Sequence, residues 1–221
     1  LDIVTKHFVV ADFQGADARL LPFFGGNLFD PRLSVFHHGT QVIHVGVIPF
    51  ADEASVTQQK RRILGDGTVS FNATPQTLTL NNTYVHNANV DGIKTTLENL
   101  TIMLNGSNYF DVGNHYGLDI ETEGAAAITI TGPGSLRFIA HTGIHASNPF
   151  RKVLSITNDS HVYVDASQNG VQFYPGRVQV DHASLSVKGE NYCISANWLD
   201  MIETSILAPD GAEFDPLNGS V

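Results

Sequence analysis

Glycines recur along the middle of this chain at a nearly constant interval. Gly92, Gly117, Gly143 and Gly170 stand 25, 26 and 27 residues apart, each followed by an aliphatic residue: Ile93, Leu118, Ile144 and Val171. Two more short alternating segments follow within each unit. Leu100-Thr101-Ile102, Ile128-Thr129-Ile130, Leu154-Ser155-Ile156 and Val178-Gln179-Val180 share one place in the repeat; Leu136-Arg137-Phe138, Val162-Tyr163-Val164 and Leu185-Ser186-Val187 share the next. A unit this small cannot bury its apolar side chains alone, and stacking successive units solves that problem.

Segments of about three to five residues with period-2 alternation, bounded by Gly, Asn, Asp, Ser and Pro, read as strands joined by turns. Coiling the chain so that each unit lies about 4.8 Å above the last pairs every strand in parallel with its equivalents and turns the aliphatic residues inward. The predicted fold is all-β: a right-handed, single-stranded parallel β-helix with three short strands per coil. A β-sandwich also has many short strands. It gives no reason for a threefold pattern to return every 23 to 28 residues.

The repeat sets the boundaries. Residues 66–207 form the coil, residues 1–65 an N-terminal cap of irregular or antiparallel strands around "RLSVFHHGTQVIHVGVIPF", and residues 208–221 a C-terminal cap or tail. "ADEASVTQQKRRILGDG" is expected to be a short helix or an excursion before the first coil, and Trp198 is expected to pack the last coil with Cys193 and Met201.

Composition excludes several partners. Twelve Lys and Arg stand against 22 Asp and Glu, and the net charge of −10 repels phosphate backbones, so no nucleic-acid partner is expected. The single Cys193 has no internal disulfide partner. No apolar run is long enough for a transmembrane segment, and the opening residues lack a charged-then-apolar leader layout, so any leader would precede Leu1.

The phrases "ILGDGTVSFNATPQTLTLNNTYV", "LENLTIMLNGSNYF", "AAITITGPGSLRF" and "GIHA" resemble those of β-helical carbohydrate-binding-domain-containing proteins. That family includes a clostridial polygalacturonate-binding protein and Bacteroides-type secreted or surface proteins. The resemblance covers residues 64–207. It implies a noncatalytic, secreted or cell-surface bacterial protein that binds polysaccharide, often a lipoprotein tethered by a lipid ahead of this chain, with calcium bound in some members. The family supplies no catalytic motif to transfer.

Two outward ladders are candidate sites. With Leu118 and Ile120 inward, Asp119, Glu121 and Glu123 alternate outward, and Lys94 and His145 fall beside Asp119 on the neighbouring rungs. Three carboxylates suit Ca2+, which takes six to eight oxygens and could bridge an acidic glycan to an acidic protein. The same residues would equally make a solvated outer face with balanced charge. Aligning "GSNYFDV", "GSLRFIA" and "SHVYVDA" places Tyr109, Arg137 and Tyr163 on successive rungs. Aromatic faces stack on sugar C–H faces and a guanidinium pairs with a uronate carboxylate; the alternative is a self-contained cation–π stack.

The histidines show no ligand-pair spacing: His37, His38 and His44 fall in the cap, and His86, His115, His141, His161 and His182 read as solvated turn residues. An inverting hydrolase needs opposed carboxylates, and the chain has no adjacent Asp-Asp on a rung. No catalytic residue is therefore assigned. A structural or adhesive surface module, and then a polysaccharide lyase or hydrolase, are the competing functions.

Overall fold

The computed structural model describes residues 68–204 apart from 74, 87, 89 and 149, together with the backbone of three earlier strands. These are β1 (Thr5–Val9), β2 (Val35–Phe36) and β3 (Val42–Pro49). Residues 51–67, where the excursion was expected, and the 208–221 tail lie outside the described residues.

Every described element is a strand. β4 (Val69–Ala73) and β5 (Gln76–Asn81) come first, then β6 (Tyr84–His86), β7 (Ile93–Thr95), β8 (Asn99–Asn105), β9 (Ser107–Asp111), β10 (Tyr116–Ile120) and β11 (Ala126–Thr131). They are followed by β12 (Ser135–Ala146), β13 (Lys152–Thr157), β14 (His161–Gln172), β15 (Arg177–Asp181), β16 (Ser184–Lys188), β17 (Tyr192–Ser195) and β18 (Trp198–Ile202). One wall stacks β5, β8, β11, β13, β15 and β18 in parallel without a register break. The other sheet holds two stacks, β7–β10–β12–β14–β17 and β6–β9–β12–β14–β16. The chain is a β-solenoid with the architecture of a parallel β-helix.

Three strand positions recur per coil, but in the middle coils two of them fuse. β12 and β14 each run 12 residues, joining the third strand of one coil to the first of the next through a register shift between Ala140 and Thr142.

The glycine ladder is a close-approach ladder. A Cβ at Gly92 would lie 2.6 Å from the Gly117 carbonyl oxygen, one at Gly117 would lie 2.5 Å from that of Gly143, and one at Gly143 would lie 2.7 Å from that of Gly170. Each coil therefore presses its backbone against the next where a side chain cannot fit. At the corner after the first wall, Asn82 (φ 53°), Gly106 (φ 63°) and Asn158 (φ 55°) take the left-handed backbone that Asn and Gly tolerate.

Inward side chains form continuous columns. Ile93, Leu118, Ile144 and Val171 lie in register and are 0% exposed, as are Ile102, Ile130 and Ile156 on the opposite wall. Phe110 and Phe138 meet as tilted rings 5.6 Å apart. Each such side chain contributes roughly 1.5–3 kcal/mol on burial. Asn108 sits in an otherwise aliphatic column, where its Oδ1 accepts the Thr83 N–H at 3.0 Å and its Nδ2 donates to the Ser135 carbonyl at 3.0 Å.

The ends depart from the coil. β4 pairs antiparallel with β5, with Ala73 opposite Gln76, so the expected first coil opens as a hairpin that finishes the wall. Thr74 and Pro75 alone join the two strands, too short a connection for parallel pairing. β1 and β2 pair antiparallel with β3, and β3 pairs antiparallel with β7, covering an edge of the helix that would otherwise be open. At the other end Trp198 corrects an expectation. Val178 lies opposite Leu199, which puts Trp198 beside Arg177 on the outer face, 64% exposed, and Met201 is itself 42% exposed. Cys193 does pack against the core.

Candidate functional site

Lys94, Asp119 and His145 lie on three successive rungs in direct register. Alternation sends Asp119 to the outer side of its strand, but it is not solvated: it is 1% exposed. The neighbouring side chains close over it. His145 Nδ1 lies 2.7 Å from Asp119 Oδ1 and Lys94 Nζ lies 3.3 Å from Oδ2, and the Tyr116 ring stacks on the His145 ring at 4.4 Å and 12°. The carboxylate accepts, so Nδ1 carries a proton. Oδ2 keeps the ion-pair distance to Lys94 without an aligned hydrogen bond.

Lys94 is the hub. Its Nζ donates to Glu121 Oε1 at 2.7 Å and lies 3.9 Å from Asp91 Oδ2. Burial opposes its charge, but the Glu121 hydrogen bond and the field of Asp119 outweigh it and raise the ammonium pKa. Asp91 accepts the Tyr116 backbone N–H at 3.0 Å, yet burial dominates and raises its pKa. Burial, followed by the fields of Asp119 and Asp91, also raises the Tyr116 phenol. Under the same corner Lys152 is 1% exposed and donates from Nζ to the carbonyls of Thr122 (2.6 Å) and Ser147; burial lowers its pKa and Asp119 partly restores it.

Asp119, Glu121 and Glu123 do not converge as a calcium site. One Asp119 oxygen is held by His145 and the other faces Lys94, Glu121 is held by Lys94, and Glu123 stands exposed past the end of β10. Among the described residues no three His, Cys, Asp or Glu side chains form a set able to hold a metal ion. The positive charge in the carboxylate cluster is the protein's own ammonium, and a calcium ion would have to displace it.

The second ladder forms as aligned and is longer than expected. Tyr84, Tyr109, Arg137 and Tyr163 are consecutive register partners. Tyr84 and Tyr109 stack at 5.2 Å and 7°, with Tyr84 66% and Tyr163 44% exposed. Arg137 leans along the wall toward Asp165, its Nη2 4.0 Å from Oδ2, while Lys188 Nζ takes the other Asp165 oxygen at 3.1 Å. Partial burial, then the charge of Asp111, raises the Tyr109 phenol pKa.

Sequence reasoning missed Tyr84, Tyr116, Asp91 and Lys152. Tyr84 needed only one further coil, "NTYVHN", aligned above "SNYFDV". Lys152 shares the parity of Leu154 and Ile156, so a lysine at an inward position was visible. Of the histidines, His86 pairs with Asp111, His145 with Asp119 and His182 with Asp181. His37, His38 and His44 lie outside the residues whose side chains are described.

The chain matches no protein-family model, no curated protein and no solved structure. The functional reading therefore rests on these two ladders and on the β-solenoid that builds them. Among the described residues no helix is long and apolar enough to cross a membrane.

Proposed function

We propose that this chain is a noncatalytic polysaccharide-binding β-helix acting at or outside the cell surface, with the ligand lying across Tyr84, Tyr109, Arg137 and Tyr163. The observation that carries the reading is the stacked, nearly parallel Tyr84–Tyr109 pair, ring centroids 5.2 Å apart on an outer wall, with Arg137 and Tyr163 continuing its column. Rungs at about 4.8 Å repeat exposed aromatic side chains along the wall, and a tyrosine face not covered by its neighbour suits the C–H face of a sugar ring. Arg137 supplies a planar donor for a uronate carboxylate, which favours an acidic glycan. The resemblance of residues 64–207 to β-helical carbohydrate-binding proteins points the same way.

Lys94 and His145 belong to a separate ion network, with His145 eight residues along β12 from Arg137, and Lys94 is its part-exposed charge. Calcium is not part of the reading. Isothermal titration with polygalacturonate oligomers tests it, comparing the parent with a Tyr84→Ala/Tyr109→Ala variant. Saturable binding by the parent and its loss in the variant support the platform; equal heats from both proteins would refute it.

A further inference from the structure

The wall of β5, β8, β11 and β13 carries a feature that the glycan reading does not use. Its outward residues form a grid of two columns and four rungs, Thr-x-Thr from Thr77, Thr-x-Met from Thr101, Thr-x-Thr from Thr129 and Ser-x-Thr from Ser155, in which Thr131 alone is buried, at 7% exposure. Rungs in such a sheet lie about 4.8 Å apart, and alternate residues about 6.8 Å apart along a strand. No register shift interrupts the pairing of these strands, so the spacing repeats in both directions.

The grid is rigid. Between its columns Leu78, Ile102, Ile130 and Ile156 are 0% exposed, so each rung is bolted to the core. Threonine is stiff at χ1, and Asn158 Nδ2 donates to Thr131 Oγ1 at 2.9 Å, fixing that hydroxyl further. Little side-chain freedom is left to lose on binding.

The grid is also neutral. None of its side chains is charged, although the chain carries −10, and charges resume on the next rung at Arg177 and Asp181, with Arg177 paired to Asp200. A neutral wall offers no counter-charge to a polyanion. Without an aromatic ring it offers a sugar face nothing to stack on. What remains is a set of part-exposed hydroxyls in register at Thr77, Thr79, Thr101, Thr129, Ser155 and Thr157, each both donor and acceptor, interleaved with methyl groups. That chemistry suits a ligand that is itself a periodic hydrogen-bonding lattice.

We propose that this wall is an ice-binding surface, with hydroxyls continuing the oxygen lattice of the ice surface and the threonine methyls lying in its voids. The proposal is independent of the glycan platform on the tyrosine wall. It is tested with the full chain by nanolitre osmometry for thermal hysteresis and by ice-recrystallisation inhibition. The expected result is activity in the parent, its loss in Thr129→Tyr, which drives a ring through the middle of the grid, and its reduction in Thr101→Val, which keeps the shape and removes one hydroxyl. Tyr109→Ala, on the other wall, is expected to retain full activity, and urea midpoints report that each variant is folded. Absence of hysteresis and of recrystallisation inhibition in the folded parent overturns the proposal, as does activity unchanged in both grid variants. Cosedimentation with crystalline cellulose or chitin that depends on Thr129, without ice activity, would also overturn it and assign the wall to a solid polysaccharide.

Discussion

The Lys94 ammonium lies 3.3 Å from Asp119 Oδ2 and 2.7 Å from Glu121 Oε1, so one cation from a lower coil neutralises two carboxylates of the coil above it. The relationship is made by stacking, because 25 and 27 residues separate the partners in the chain. It converts an acidic run that looks like a metal site into an internal ion network, and it makes Lys94 a stability residue.

Removing Lys94 leaves Asp119, which is 1% exposed, with His145 on one oxygen and no cation beside the other. Breaking a fully buried pair costs about 3–5 kcal/mol, and because Lys94 is 29% exposed the expected loss for Lys94→Met is nearer 2 kcal/mol. Adding Asp119→Asn removes the orphaned charge and is expected to recover part of that loss. Urea denaturation of both variants measures the coupling; additive losses would mean that the two side chains do not interact.

Asp91 sets a pH dependence. Burial raises its pKa above the ordinary 3.8, so the folded protein holds that proton more tightly than the unfolded chain does. The stability this gives is complete below pH 3.8 and is lost as pH rises through the raised value. Asp91→Asn keeps an oxygen acceptor for the Tyr116 N–H and removes the buried charge. The variant is expected to melt above the parent at pH 7, with the advantage fading towards pH 3. Melting curves from pH 3 to 8 give the answer, and an Asn variant that melts lower at pH 7 would contradict it.

Much of the architecture was legible because a solenoid writes itself into the sequence. The columns Ile93/Leu118/Ile144/Val171 and Tyr109/Arg137/Tyr163 were read from spacing, and both occur in the structure in that register. Parity gives the side of a strand, and that is why Asp119 was placed facing out. Parity does not give burial: whether Tyr116, His145 and Lys94 close over the carboxylate depends on rotamers and on the depth of the neighbouring rungs. The hairpin of β4 and β5 was missed for a related reason, since "VSFNA" alternates just as a coil strand does and only the two-residue link betrays its direction.

The glycine ladder makes a sharp stability prediction. In Gly117→Ala the new methyl would stand 2.5 Å from the Gly143 oxygen and 2.6 Å from the Phe138 ring, neither of which has room to retreat. Overpacking of this kind costs about 1–3 kcal/mol, and here two contacts act at once, so the upper end is expected. Gly124→Ala is the control, because nothing lies within 4 Å of its Cβ. Thermal melts of the two variants should separate clearly; equal melting temperatures would mean that the coils can spread to accept a methyl.

The two ladders also disagree about metal dependence. Calcium-bridged glycan binding, the expectation drawn from three carboxylates in a row, requires Asp119 and Glu121 to be free, and both are committed to Lys94. Binding through Tyr84 and Tyr109 needs no ion, because stacking on sugar C–H faces and Arg137–carboxylate pairing supply the contacts. Retention of polygalacturonate in affinity electrophoresis is therefore expected to survive EDTA and to weaken with salt, since the Arg137 contribution is screened while the stacking is not. Arg137→Gln should abolish the salt dependence and leave a weaker, salt-insensitive residue of binding. Retention that vanishes in EDTA and returns with calcium would show that the ion displaces Lys94 after all, and would move the site to the acidic corner of β10.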